Sequence, residues 1–233
     1  MSKPTTTANS NDLVRMYQSM DTDGVITSKY KYLPGSPKNY RFDGRTGDFN
    51  IGGVKPVGKK IVIQPIAFKF MQDSLFARKD DNTGILKLEQ WCEVYFVDES
   101  KAVCYIMFNN SSARSLLKLV ESLFYEDIVE NGTMRSMELT DTVLTISSEK
   151  KENTKGKYSV ATFEFEIATP QSIEEYRQLC QDMQVFSRDT TTETAEIGLC
   201  SLSYPVACLP VSKVQKSLSA KSYEPEFEAD ING

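Results

Sequence analysis

Two neighbouring stretches, Ile85–Val97 (ILKLEQWCEVYFV) and Lys101–Phe108 (KAVCYIMF), alternate apolar and polar residues with period two, with only Asp98-Glu99-Ser100 between them. That period places successive side chains on opposite faces of an extended chain, and so short a polar link predicts an antiparallel hairpin. Leu86, Leu88, Cys92, Val94 and Phe96 make the expected core face of the first strand, and Lys87, Glu89, Trp91, Glu93 and Tyr95 the other. In the second strand Ala102, Cys104, Ile106 and Phe108 share one face, Lys101, Val103, Tyr105 and Met107 the opposite one. Asn110 or Ser111 then caps a helix running to about Tyr125, with Leu116, Leu117, Val120, Leu123 and Phe124 at helical spacing.

The hairpin and helix sit inside a longer pattern. Lys59–Met71 is rich in β-formers, with Pro65 marking an edge or bulge. Strands are expected near Glu138–Ser148 and Lys157–Ala168, joined by a charged turn at Glu149–Gly156. Pro170 opens a second helix with Ile173, Tyr176, Leu179, Cys180, Met183 and Val185 near one face. Strand, strand, strand, helix, strand, strand is the order of a five-stranded Greek-key barrel of the OB type. The expectation is a mainly β chain with two helices (α+β): an OB-fold-like barrel with an N-terminal extension and a disordered acidic tail. Its divisions are a flexible arm over 1–25, in which Leu13–Met20 also fits a short helix, and an OB-fold-like nucleic-acid-binding domain over 26–188. A linker or partly packed extension covers 189–222, and the acidic tail 223–233.

Composition removes several functions. The chain has no histidine, so Ser-His-Asp and Cys-His catalysis and histidine-containing zinc sites cannot be built. Neither a phosphate-binding GxxxxGK[ST] loop nor a GxGxxG turn occurs, and a non-enzymatic role without cofactors is expected. Asp21-x-Asp23-Gly24 begins like a calcium loop, but its glycine comes too early and no glutamate follows, so no metal site is assigned. Cys92, Cys104, Cys180, Cys200 and Cys208 are odd in number and never in CxxC spacing, which reads as reduced thiols. No apolar run reaches the roughly 20 residues needed to span a bilayer. The polar start lacks a signal-peptide core. The expected location is cytoplasmic, without membrane contact.

Charge supplies the positive clue. The net charge of −5 hides a stretch, Lys29–Lys60, with eight cations against Asp43 and Asp48, interleaved with Tyr30, Tyr32, Tyr40, Phe42 and Phe49. Cations among aromatics suit a polymer offering phosphates and stackable bases. The candidate nucleic-acid-binding residues are Lys38, Tyr40, Arg41, Phe42, Arg45, Lys55, Lys59 and Lys60, joined by Lys87, Trp91, Tyr95 and Tyr105 on the outer hairpin face. Glu89 and Glu93 flank Trp91 and repel phosphates, which favours the aromatics near Lys38–Arg45. At the far end Glu224, Glu226, Phe227, Glu228 and Asp230 form a candidate partner-binding tail.

Taken together, the strand order, the basic–aromatic segment, the acidic tail and the stretch WCEVYFVDESKAVCYIMFNNSSARSLLKLV resemble single-stranded DNA-binding proteins of tailed bacteriophages. The likeness is architectural, covers about residues 55–187 plus the tail, and rests on no diagnostic motif. It implies a protein that coats and protects single-stranded DNA during replication or recombination with little sequence preference, in the host cytoplasm if phage-encoded. It also implies recruitment of replication or recombination proteins by the tail. The chain departs from the bacterial pattern in ending Asp230-Ile231-Asn232-Gly233 rather than on phenylalanine. The alternative is a structural or adaptor module on a small β-barrel, such as a virion protein. Oligomeric state and DNA-versus-RNA preference stay open.

Overall fold

The computed structural model describes residues 14–205, apart from Asp81, Asn131, Lys155 and Asp189. Gln18–Met20 (β1) and Ile26–Ser28 (β2) pair as a short hairpin, and Lys38–Phe42 (β3), Phe49–Ile51 (β4) and Lys55–Gly58 (β5) form a meander. Lys60–Ile63 (β6), Pro65–Asp73 (β7), Glu89–Val97 (β8) and Val103–Asn109 (β9) lead into Asn110–Leu123 (α1). A hairpin of Asp127–Glu130 (β10) and Thr133–Ser136 (β11) and a 3-10 turn at Leu139–Asp141 precede the long pair Thr142–Asn153 (β12) and Gly156–Ile167 (β13). Pro170–Asp182 (α2) and Glu196–Cys200 (β14) complete the described elements.

These strands make one seven-stranded sheet, β14-β7-β8-β9-β3-β4-β5, and one three-stranded sheet, β13-β12-β6, besides the two hairpins. The expected five-stranded closed barrel is not formed: no sheet among the described residues closes on itself. The reason lies in residues 38–58, whose five glycines and Pro56 read as irregular chain. They supply three strands, and β3 occupies the free edge of β9, in parallel register from Lys38↔Cys104 to Arg41↔Met107. The expected strand Lys59–Met71 divides at Gln64, so that β6 joins β12 while β7 joins β8. Pro65, which has no N–H to donate, sits at the register shift on that bend.

The β8–β9 hairpin forms with the register Val97↔Val103 to Trp91↔Asn109. Its first strand starts only at Glu89. Leu86 and Leu88, expected in the core, lie in the preceding loop and are exposed. In α1 the buried stripe is Ala113, Leu116 and Leu123, whereas Phe124 lies past the helix end and is exposed. Thr169 caps α2, its hydroxyl accepting from the Ser172 amide at 3.2 Å, with Pro170 in the first turn. The expected charged turn at Glu149–Gly156 is mostly strand, since β12 continues to Asn153 and β13 starts at Gly156.

Over β7 and β8 both faces of the seven-stranded sheet are covered. On one, Cys92, Val94, Phe96, Cys104, Ile106 and Phe108 meet Leu116 and Leu123 of α1 and Ile61, Ile63, Leu144 and Ile146 of the smaller sheet. On the other, Trp91, Tyr95 and Val103 meet Leu179 and Cys180 of α2, together with Tyr17, Tyr30, Val185, Ile197 and Tyr204. Tyr17 lies within the expected arm, yet it is buried and its hydroxyl donates to Asp182 at 3.0 Å. The described part of the expected extension also packs, with β14 completing the edge of β7. No helix among the described residues is long and apolar enough to cross a membrane.

Candidate nucleic-acid interface

The basic segment is sorted by the alternation of β3 and by one turn. Even positions of β3 face the apolar core, so Tyr40 is buried and Phe42 half-buried, with its ring 5.1 Å from that of Phe49. Asp98, in the β8–β9 turn, takes an ion pair from the Lys38 ammonium and a hydrogen bond from the Tyr40 hydroxyl at 3.2 Å. Burial raises the Tyr40 phenol, reinforced by the Asp98 charge. Burial also pushes Asp98 upward, but hydrogen bonds from Lys38, Ser100 and the Ala102 amide outweigh it and hold the carboxyl well below the usual carboxylate range. Lys38, Tyr40 and Phe42 are therefore committed to the fold.

Odd positions of β3 face the other way. Asn39 is registered with Tyr105 and Arg41 with Met107 on β9, while Arg41 faces Asn50 on β4. The Asn39 amide donates to the Tyr105 hydroxyl at 2.9 Å, and the Tyr105 ring lies 6.0 Å from that of Tyr95. Arg41 is exposed, and Asn39, Asn50, Tyr105 and Met107 are half-buried. Of the aromatics expected to receive bases on this face, Tyr105 alone is not fully buried. Asn39 and Asn50 join it and Met107 unforeseen, because their placement depends on the pairing of β3 with β9 and β4, which no local pattern announces.

Trp91 and Tyr95 lie on the same sheet face but are closed off. Trp91 is 5 % exposed, lies edge-on to Phe76 at 5.1 Å and donates from Nε1 to the Asp73 carbonyl at 3.3 Å. Tyr95 is 0 % exposed. Its hydroxyl donates to Glu93 Oε1 at 2.7 Å and accepts from the Ser187 amide at 2.6 Å. Glu93, read as a charge repelling phosphates beside Trp91, is instead buried against Lys69 Nζ at 3.0 Å, both side chains 0 % exposed. The segment after α2 excludes bases from this half of the sheet.

The remaining cations form an open margin. Arg41, Arg45, Lys55, Lys59 and Lys60 are all exposed, and none is in an ion pair among the described residues. They follow one another along β3, the Asp43–Asp48 turn, β5 and β6. Lys87 is exposed in the loop before β8, its amide bonded to the Arg78 carbonyl at 2.7 Å, and no strand pairing joins it to the others. The candidate tail residues Glu224, Glu226, Phe227, Glu228 and Asp230, like Cys208, lie outside the described residues.

Chemistry elsewhere is structural. A cavity of about 510 Å³ between α2, the 3-10 turn and Tyr204 is walled by Arg135, Glu138, Tyr176 and Arg177. Its guanidiniums are already engaged: Arg135 with Asp141 at 2.7 Å and Glu130 at 2.6 Å, Arg177 with Glu130 at 2.5 Å and Glu174 at 3.2 Å. Among the described residues no group of three or more cysteines and carboxylates is placed to hold a metal ion. Comparison with known families, curated proteins and solved structures yields no match for this chain.

Proposed function

We propose that this chain is a non-enzymatic protein that binds single-stranded DNA through its backbone, with little sequence preference, in the service of replication or recombination. The observation that carries the reading is the run of five exposed cations, Arg41, Arg45, Lys55, Lys59 and Lys60, unpaired among the described residues and carried by consecutive parts of the chain, with Arg41 on the sheet face of half-open Tyr105. Cations without protein partners are free to displace the counterions condensed on phosphates, and a partly open ring offers one stacking surface. The acidic residues Glu224–Asp230 then serve to recruit basic partner proteins. Binding is measured by the anisotropy of a labelled oligo-dT of about 30 nucleotides at rising salt, where five phosphate contacts give a slope of about −3.5 in log K against log salt. Absence of binding at low salt, or a flat salt dependence, overturns the proposal.

One observation favours a second reading, the adaptor module. Phe124, Tyr125, Val129 and Met134 are large, exposed and close in sequence at the end of α1 and on the β10–β11 hairpin, where Val129 faces Met134. That reading expects concentration-dependent self-association or a protein partner and no retention of oligo-dT in the same titration.

A further inference from the structure

The outer half of the β12–β13 pair is a free ribbon. Its register runs unbroken from Thr142↔Ile167 to Asn153↔Gly156, but only Leu144–Ser147 have β6 on their other side. Glu149–Thr154, Gly156 and Lys157 are all exposed, although Ser159 and Val160 opposite Lys150 and Glu149 are buried, so two residue pairs, Glu152↔Lys157 and Asn153↔Gly156, roughly 7 Å at strand rise, stand clear of the core on both strands. A two-stranded ribbon burying nothing is marginal in water. This one is fixed at its root. Gly47, at φ +78°, lies against the Ser148 and Ser159 side chains so closely that a Cβ would collide with them. The Ser159 amide donates to the Gly44 carbonyl at 2.7 Å, and the Ala161 amide to Ser112 Oγ at 3.0 Å.

That root brings together cations from distant parts of the chain. Lys150 is registered with Ser159 and Lys157 with Glu152, so Lys150 and Lys157 share the ribbon face on which the turn carrying Arg45 sits. Lys60 is registered with Ser147 on the other face, which it shares with Lys151. The anions nearby are Glu149, paired with Lys151 at 3.3 Å, then Glu152, Asp48 and Asp43, the last accepting from the Arg45 amide at 2.8 Å. Arg45, Lys150 and Lys157 have no ion pair among the described residues. Lysine and glutamate are the residues that protein–protein interfaces avoid, and apart from half-buried Tyr158 the ribbon offers no apolar anchor. Its chemistry suits phosphates.

We infer that the β12–β13 ribbon is a second arm for the same ligand, with Lys150, Lys157 and Arg45 holding backbone phosphates of a single strand that continues from the β3–β6 margin. The inference rests on the DNA-binding reading above and adds the direction in which the strand runs. Replacing both ribbon lysines (K150A/K157A) touches only exposed side chains. It is expected to lower the salt slope by about 1.4 and to weaken a long oligo-dT roughly tenfold, leaving an oligonucleotide too short to reach the ribbon unaffected. Gly47→Ala keeps every cation but pushes the turn carrying Arg45 off the ribbon, and is expected to weaken the long oligonucleotide more than the short one. If wild type binds and K150A/K157A retains its affinity and slope, the arm is refuted and the margin stands. A loss confined to duplex DNA also refutes it, in favour of a duplex site. No binding by wild type removes both readings.

Discussion

Over β7 and β8 both faces of the seven-stranded sheet are buried, but they are held by different physics. The face toward α1 is sealed by hydrocarbon and thiols, with Val94, Cys104 and Ile106 all 0 % exposed. Burial of that kind is non-directional and tolerates small changes of shape. The face toward α2 contains a lysine and a glutamate, Lys69 and Glu93, without solvent. Around them Thr191 Oγ1 accepts from Lys69 at 2.6 Å, Tyr95 and Tyr204 donate to Glu93, and the Lys69 ammonium stands 5.1 Å from the Tyr204 ring centre. Nearby, buried Asp73 accepts from the Thr192 amide at 2.9 Å and the Thr194 hydroxyl at 3.2 Å. The first face adheres to whatever is apolar; the second accepts one arrangement of the segment that covers it.

The largest effect tests this directly. Glu93→Ala leaves Lys69 buried without its counter-charge and is expected to cost about 3–5 kcal/mol in urea unfolding, whereas K69M/E93L is expected to recover most of it. Equal losses in single and double variants would mean that shape, not charge, governs this face. Next comes Asp98, the polar exception at the rim of the apolar face, whose replacement by Asn is expected to cost about 1–3 kcal/mol at neutral pH. Because its folded carboxyl titrates below the ordinary value, its contribution is present above about pH 4 and is lost as pH falls through the lowered value. The gap between D98N and wild type should therefore close in acid, and a gap constant with pH would exclude the ionic role. Within the apolar face, Ile106→Val is expected to cost only about 0.5–1.5 kcal/mol, and a larger loss would show that this face too is geometrically exacting. The smallest effect expected is none: Trp91 emission should stay blue-shifted and unquenched by oligo-dT. Quenching on binding would put bases against the α2 face after all.

What was legible follows from the range of the determining contacts. The hairpin, α1 and α2 are written in local periodicity, although β8 starts four residues later than expected and α1 is entered from Asn109 without a side-chain cap rather than from Asn110 or Ser111. The barrel was misread because turn-rich residues 38–58 look irregular one at a time, while as strands they rely on partners such as β9, found only in the fold. Period two told correctly that Cys92 and Trp91 point opposite ways, but not that α2 and residues 190–205 would cover the second side. Trp91 and Tyr95 were thus read as platforms and are core. Lys38 shows the same limit in miniature: its charge is plain in the sequence, and its consumption by Asp98, 60 positions away, is not. Arg45, Lys55, Lys59 and Lys60 stayed outside because turns and edge strands leave their side chains no core to enter, and Arg41, on interior β3, because it points away from the apolar core.

The pairing of β14 with β7 has a consequence for the chain as it is made. Thr192 and Asp73, which anchor that pairing, are 119 positions apart. Contacts of such separation form late, since loop closure must precede any gain from them. A ribosome that has released β7, β8 and β9 still holds back the strand that will cap them. Until then the β7 edge offers its backbone donors and acceptors unpaired, and Lys69 lies open with Glu93 beside it. A lysine on an uncapped strand, with a glutamate opposite it on β8, discourages edge-to-edge association with other chains, so the charges that make the finished face exacting guard it while it is incomplete.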